Sequence, residues 1–386
     1  MIAYKAEWLN DINIREQAAE AFHEKCVEKE ELDRINTKFS TRFYSPDFFI
    51  RIGLFILSTV IFLFSFGLFA LLFLSEIDSA IAGLAIFFAV IAYAALEYFV
   101  LVKHHFCSGV DDALLWISAA SLFGGISYLS YAGDLANCII IFIITFYCCL
   151  RFADRVLAVV LYISLLGIFF FSCIKLGNAA KSAVPFVLMA LSAFIYLLIK
   201  KAGSLGINQL YARCVETIRI AALLSLYLAG NYFVVRELSN ELFNLNLAEN
   251  EPIPFGWLLW IFTFLIPCAY LARGIQKKDI VLIRVGLLLL GSVIVTVRFY
   301  YVIASVEIIM TLVGMVLIIT SYLLSRYLLV PRQGFTRFEA AVNDAEDKLT
   351  IESILVAQTL STPPGVNEGT QFGGGNFGGG GTSGDF

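Results

Sequence analysis

The sequence predicts an all-α polytopic integral membrane bundle of about ten transmembrane helices, flanked by small cytoplasmic helical segments at the N- and C-terminal sides. Three observations predict it. Of 386 residues, 59% are hydrophobic and 15% are charged, whereas a soluble domain carries about 45–50% apolar and about 25% charged residues. The apolar residues fall into runs approaching the roughly 20 residues that cross about 30 Å of hydrocarbon. The few Lys and Arg residues gather in alternate connections, as orientation in a bilayer requires. A formal net charge of −4, with no basic stripe, excludes a nucleic-acid binder that works by neutralising phosphates.

In chain order, residues 1–46 form the first cytoplasmic segment. Trp8, Leu9, Ile12, Ala18, Ala19, Phe22, Cys26, Val27, Leu32 and Ile35 recur at helical intervals, which predicts one amphipathic helix or a short helical hairpin. Its polar positions mix Glu24, Glu28 and Glu31 with Lys25, Lys29 and Arg34, so pairing along the helix needs no membrane surface. These charges do not read as a cleaved signal peptide, and the apolar run from Phe48 is expected to direct insertion. Pro46 disfavours helix at Ser45, and Asp47 can cap the helix that begins beside it.

The transmembrane bundle is expected over 47–329. Its spans run from Arg51 to Leu74, Ala80 to Val102, Ala113 to Tyr131, Leu135 to Leu150, Arg155 to Ile174, Ala183 to Leu198, Ile218 to Val235, Phe255 to Ala272, Ile280 to Val297 and Ile303 to Leu328. The turn Ala132-Gly133-Asp134 between two short spans leaves counts of nine to eleven open. With the N-terminus inside, Lys103, Arg151, Arg155, Lys200, Lys201, Arg213, Arg273, Lys277 and Lys278 all fall in inner loops. The outer loops keep few bases and hold acids such as Glu76, Asp78, Asp134 and Glu249. An even count returns the C-terminus to the cytoplasm. Residues 330–362 then show a helical pattern, and 363–386 form a Gly-rich tail that cannot bury a core and is expected to be disordered. Most of the eight cysteines lie inside apolar runs without C-x-x-C spacing, and read as small hydrophobes.

The N-terminal hairpin that opens with Trp8-Leu9 resembles the start of bacterial multi-pass membrane proteins of the domain-of-unknown-function type. The final hairpin is similar to theirs in placing Arg298, Tyr300 and Tyr301 before a Gly-containing helix, and the tail FGGGNFGGGG resembles their endings. The resemblance implies a bacterial inner-membrane location and brings no catalytic or transport residues with it.

Ionisable groups inside spans are expensive, and so are the first candidates for chemistry. Glu97 lies deepest, about one turn from the inner end of the second span, accompanied by Glu307, Arg284, Arg219 and the polar Asn231. Glu97 either binds a cation or relays protons, or it simply pairs with an interfacial base such as Lys103 or Arg155 while the arginines extend to the surface. His104, His105 and Cys107 could ligate a metal with Asp111 and Asp112, but their spacing fits no closed site, and acids at a helix start offset its dipole. Glu76 and Asp78 form an acidic pair on the first outer loop, the place where lipid-carrier-dependent transferases keep one. No Ser-His-Asp, Cys-His, H-E-x-x-H, Walker or dinucleotide motif is present, and no cofactor is implied. Pro185 and Pro267 interrupt spans, as transporter helices often are, yet the halves show no duplication.

The expected role is therefore a non-enzymatic membrane module or scaffold. Its partners are the lipid bilayer and a cytoplasmic protein engaged through the N-terminal helices and C-terminal tail. A secondary transporter using Glu97 is the alternative, and a transferase using Glu76 and Asp78 is the third reading.

Overall fold

The computed structural model describes residues 2–23, 26–40, 42–72, 79–203, 211–243 and 253–300, together with scattered positions between 311 and 326. Twelve helices form among the described residues, and no strand does. They are α1 (Ala6–His23), α2 (Lys29–Lys38), α3 (Phe48–Leu72), α4 (Ser79–Leu101), α5 (Val110–Leu129), α6 (Asp134–Phe152), α7 (Arg155–Lys175), α8 (Asn178–Gly203), α9 (Ala212–Gly230), α10 (Tyr232–Phe243), α11 (Gly256–Lys277) and α12 (Ile280–Tyr300). Eight of them are long and apolar enough to cross a membrane, which is compatible with a multi-pass membrane protein.

The expected boundaries of these eight spans fall close to the observed helices, because hydrocarbon-length apolar runs allow little else. The seventh expected span behaves differently. It starts earlier, and it breaks at Asn231 into α9 and α10, whose axes bend by 75°. Tyr232 to Val235 continue the apolar run, so hydropathy alone joins the two pieces. The N-terminal segment is two helices rather than one, since the chain turns before Glu28, whose carboxylate accepts from Glu31 N–H in a reciprocal capping box. Most of the expected tenth span and everything after it lie outside the described residues.

Sequential neighbours pack as antiparallel hairpins, with the most extensive contacts between α4 and α5, α6 and α7, α8 and α9, and α11 and α12. Helices α7 and α9 join the two halves. Close approach depends on glycine at a few positions. A Cβ on Gly125 would lie 2.5 Å from Ile86 Cγ1 and 2.9 Å from the Ala82 carbonyl oxygen, so α4 and α5 meet backbone to side chain. Helix α3 is the exception to this packing: none of its described side chains is buried, and Phe48, Ile52, Ile56 and Phe64 point outward.

Antiparallel alternation sets the starts of α3, α5, α7, α9 and α12 at one end of the bundle. Helices α1 and α2 sit on that same end, which is hereafter the capped end. The contrast between Gly125 and its neighbour Gly124, around which a Cβ would meet nothing within 4 Å, provides a test of the packing. Gly125→Ala should cost about 2 kcal/mol through overpacking, lowering the Tm of the detergent-purified protein by a few degrees. Gly124→Ala should leave Tm unchanged or raise it slightly.

Candidate functional site

The capped end is built by short-range contacts between loops and helix starts. Ala3 N–H donates to the Arg151 carbonyl at 2.8 Å, while Tyr44 N–H donates to the His104 carbonyl at 3.0 Å and Phe106 N–H to the Tyr44 carbonyl at 3.2 Å. The Tyr4 ring meets Phe43, Phe106 and Phe152 edge-on, and Trp8 meets Phe43 and His104. Glu16 on α1 pairs with Arg213 at the start of α9. Arg51 reaches across from α3 to Asp112 on α5 at 2.6 Å. Gly109 (φ 90°) lets that loop pass α3, since a Cβ there would sit 2.1 Å from the Arg51 carbonyl oxygen.

Glu97 lies at this end, in the last turns of α4, and it is neutralised. Arg151 Nε donates to its Oε1 at 3.0 Å and Arg151 Nη2 to its Oε2 at 2.9 Å, a bidentate clamp. Tyr93 O–H adds a third bond to Oε1 at 2.7 Å and stands 2.7 Å from the Tyr147 hydroxyl. The reading of Glu97 as paired thus has the right kind of partner, but the base is Arg151 rather than Lys103 or Arg155. Helices α4 and α6 run the same way and end side by side, which brings Glu97 and Arg151 together.

The loop after α4 holds the residues considered as metal ligands, and each is turned to a different neighbour. The His105 ring contacts the Ser108 hydroxyl at 2.8 Å, and the His104 ring packs against Trp8. Burial, with the Asp112 charge as a lesser cause, pushes the Cys107 thiol up to about 11. Among the described residues, no group of three or more His, Cys, Asp and Glu side chains is arranged to hold a metal ion. Asp111 lies in the first turn of α5 and ties back the loop before it, its Oδ1 accepting from Ser108 N–H at 2.8 Å and from Ser108 Oγ at 2.9 Å. Asp154 caps α7, accepting from Leu157 N–H at 2.8 Å and from Trp116 Nε1 at 3.3 Å.

Asn231 sits at the α9–α10 break, 1% exposed. Its Nδ2 donates to the Tyr227 hydroxyl at 2.8 Å and to Thr296 Oγ1 at 3.0 Å, and its Oδ1 accepts from Val234 N–H at 3.1 Å. Thr263 Oγ1 accepts from Tyr232 N–H at 3.1 Å. Further along the bundle, Tyr162, Ser192 and Ser225 form a hydroxyl triad. Arg219 pairs with Asp279, a residue that sequence reasoning did not single out. Arg284 is exposed on α12. Glu307, Glu76 and Asp78 lie outside the described residues.

A cavity of about 540 Å³ opens at the capped end, walled by α1, by the starts of α3, α5 and α9, and by the α6–α7 turn. Asp111, Asp112, Asp154, Arg51, Arg155, Arg213 and Glu16 all reach it. Comparison with known protein families, with curated proteins and with solved structures finds no match for this chain. The resemblance drawn from the terminal hairpins and the tail therefore stands on those residues alone.

Two outcomes are expected from these contacts. Glu97→Ala strands Arg151 and should destabilise the protein by on the order of 2 kcal/mol, whereas Glu97→Gln combined with Arg151→Gln should recover most of that loss in thermal melts. Burial also holds the His105 pKa below its ordinary value. The folded ring then binds its proton less readily than the unfolded one, so its contribution to stability is present above about pH 6.5 and is lost as pH falls below it. Between pH 7 and 5, His105→Asn should show a smaller fall in Tm than the unaltered protein.

Proposed function

We propose that this chain is a ten-span inner-membrane protein with both termini in the cytoplasm, acting as a non-enzymatic membrane module whose helical termini are its interaction elements. The observation that carries this reading is the seating of α1 and the stretch of chain before it on the capped end. The Ala3 to Arg151 hydrogen bond, the Glu16 to Arg213 pair and the Tyr4 and Trp8 contacts make the N-terminal segment part of the bundle. A partner bound to these helices would act directly on the helix starts beneath them. The paired state of Glu97 supports a structural role for that carboxylate over open cation binding.

A second reading, a secondary transporter using Glu97, draws support from the break between α9 and α10, since transporters use discontinuous helices near the midplane. The two readings separate on one double variant. Glu97→Gln with Arg151→Gln removes both charges without stranding either. At matched protein levels, a module should complement a deletion strain fully, and a transporter that works through Glu97 should not complement at all.

Orientation is tested by thiol labelling with a membrane-impermeant maleimide on a variant that keeps only Cys26 and Cys107. Cys26 is exposed, and Cys107 is held protonated by burial. Cys26 should label in inverted vesicles and not in intact cells, and Cys107 should stay unlabelled at pH 7. Labelling of Cys26 in intact cells would reverse the topology.

A further inference from the structure

Two thiols from helices far apart in sequence meet beside the turn that joins α6 to α7. Cys149 lies in the last turn of α6 and Cys214 in the first turn of α9. Both are buried, at 8% and 2% exposure, in a small core cluster with Ala158 of α7. Their side chains share a hydrogen bond, and the Cys214 thiol also reaches the Ala153 carbonyl at 2.9 Å. Tyr211, just before α9, donates its hydroxyl to the Leu150 carbonyl at 2.7 Å, so a second contact holds the same two helix ends together.

Cysteines fill apolar gaps as small side chains, and Cys148 does so in a separate cluster with Leu96, Val100 and Leu115. Consecutive residues of a helix point about 100° apart, so of this neighbouring pair it is Cys149 that faces α9. What sets Cys149 and Cys214 apart is the contact between their sulfurs. From hydrogen-bond contact, side-chain rotation has only a short distance to close before the roughly 2.0 Å of a disulfide is reached. The capped-end cavity extends to the residues around the pair, since Ala153, Ala212 and Arg213 line it, and Cys149 keeps the greater exposure of the two.

We propose that Cys149 and Cys214 are a reversible oxidation site, a dithiol that a small hydroperoxide converts into a disulfide joining the end of α6 to the start of α9. With hydrogen peroxide, the Cys149 sulfur attacks one peroxide oxygen and the O–O bond breaks. The thiol proton leaves with the other oxygen as water, and Cys149 becomes a sulfenic acid. The Cys214 sulfur then displaces that hydroxyl: the S–S bond forms, the S–O bond breaks, and the Cys214 proton leaves with the hydroxyl as a second water. Two electrons pass from the sulfurs to one peroxide, and a dithiol reductant returns both thiols by exchange. The bond fixes the turn from Arg151 to Asp154 against α9. The site goes beyond the module reading, and its chemistry is the same whichever side of the membrane the capped end faces.

The full-length protein in detergent is treated with hydrogen peroxide, the remaining thiols are alkylated after denaturation, and digested peptides are read by mass spectrometry. A peptide pair linked through Cys149 and Cys214 should exceed every other cysteine pair roughly tenfold, since geometry selects the partners, and should vanish on reduction with dithiothreitol. Cys214→Ser removes the resolving thiol, so Cys149 should accumulate as a sulfenic acid that dimedone captures. Cys149→Ser should give no such adduct at Cys214, and Cys148→Ser should leave the linked pair unchanged. The unaltered protein carries the test if a serine variant fails to fold. Recovery of Cys149 and Cys214 as alkylated thiols once peroxide has fully oxidised the exposed Cys26, or equal linkage of Cys148 and Cys149 to Cys214, would overturn the proposal. Neither result bears on the Cys26 labelling or the Glu97 complementation, which test the module reading separately.

Discussion

No water reaches the hydrocarbon core, so every helix end and every charge near it must be answered within the chain or carried to the surface. This constraint organises the capped end. Helices α5, α7 and α12 each begin beside a carboxylate that takes backbone N–H groups: Asp111 from Ser108, Asp154 from Leu157, and Asp279 from Leu282 at 3.4 Å. Acids at those positions also meet the positive ends of the helix dipoles. The charge they bring is then shared with arginines: Arg219 pairs with Asp279, and Arg51 with Asp112 beside Asp111. The ion pairs are thus consequences of starting several helices side by side, and Glu97 and Asn231, two of the candidates for chemistry, are held by their neighbours.

The break at Asn231 obeys the same constraint differently. A helix interrupted among apolar neighbours frees N–H and C=O groups, and each freed group needs a partner. Asn231 serves Val234 N–H with its own side chain and ties both sides to Thr296 on α12, while Thr263 on α11 takes Tyr232 N–H. The Tyr232 ring stacks on Trp260 with centroids 5.0 Å apart, and a Cβ on Gly230 would lie 2.9 Å from Ile266 Cδ1. The break is therefore closed by side chains from three helices. In transporters, the half-helix ends of such breaks are used to coordinate substrate; here the groups named are used internally.

Much of this architecture was legible in the residues. Apolar runs of hydrocarbon length located α3 to α8, α11 and α12 to within a few residues, because composition alone forces such segments into helices that satisfy their own backbone. That Glu97 has a basic partner was legible as well, since an isolated charge there is too costly. Which base it chooses was not, because the choice depends on where α4 and α6 end relative to one another rather than on distance in sequence. The split of α9 from α10 was hidden by Tyr232 to Val235, which keep the run apolar while Asn231 and Thr263 redirect the backbone. The cavity was invisible in principle, because it lies where α1 and α3 meet the starts of α5 and α9, segments far apart in the chain.

The four residues from Arg151 to Asp154 show why the capped end behaves as one unit. The Arg151 side chain clamps Glu97, and its carbonyl holds Ala3 N–H. The Phe152 ring lies against Tyr4 and Tyr93. Ala153, in the left-handed region at φ 52°, ends α6, and its carbonyl accepts the Cys214 thiol at 2.9 Å. Asp154 then starts α7 and holds Trp116 on α5. Three consecutive structural duties, ending one helix, starting the next and anchoring the N-terminal segment, fall on a single tight turn. A displacement of that turn would loosen α4, α5, α9 and the N-terminal cap together. Tyr4, Arg155 and Asp154 also line the cavity, so any ligand held there bears on the same turn, and through it on the seating of α1.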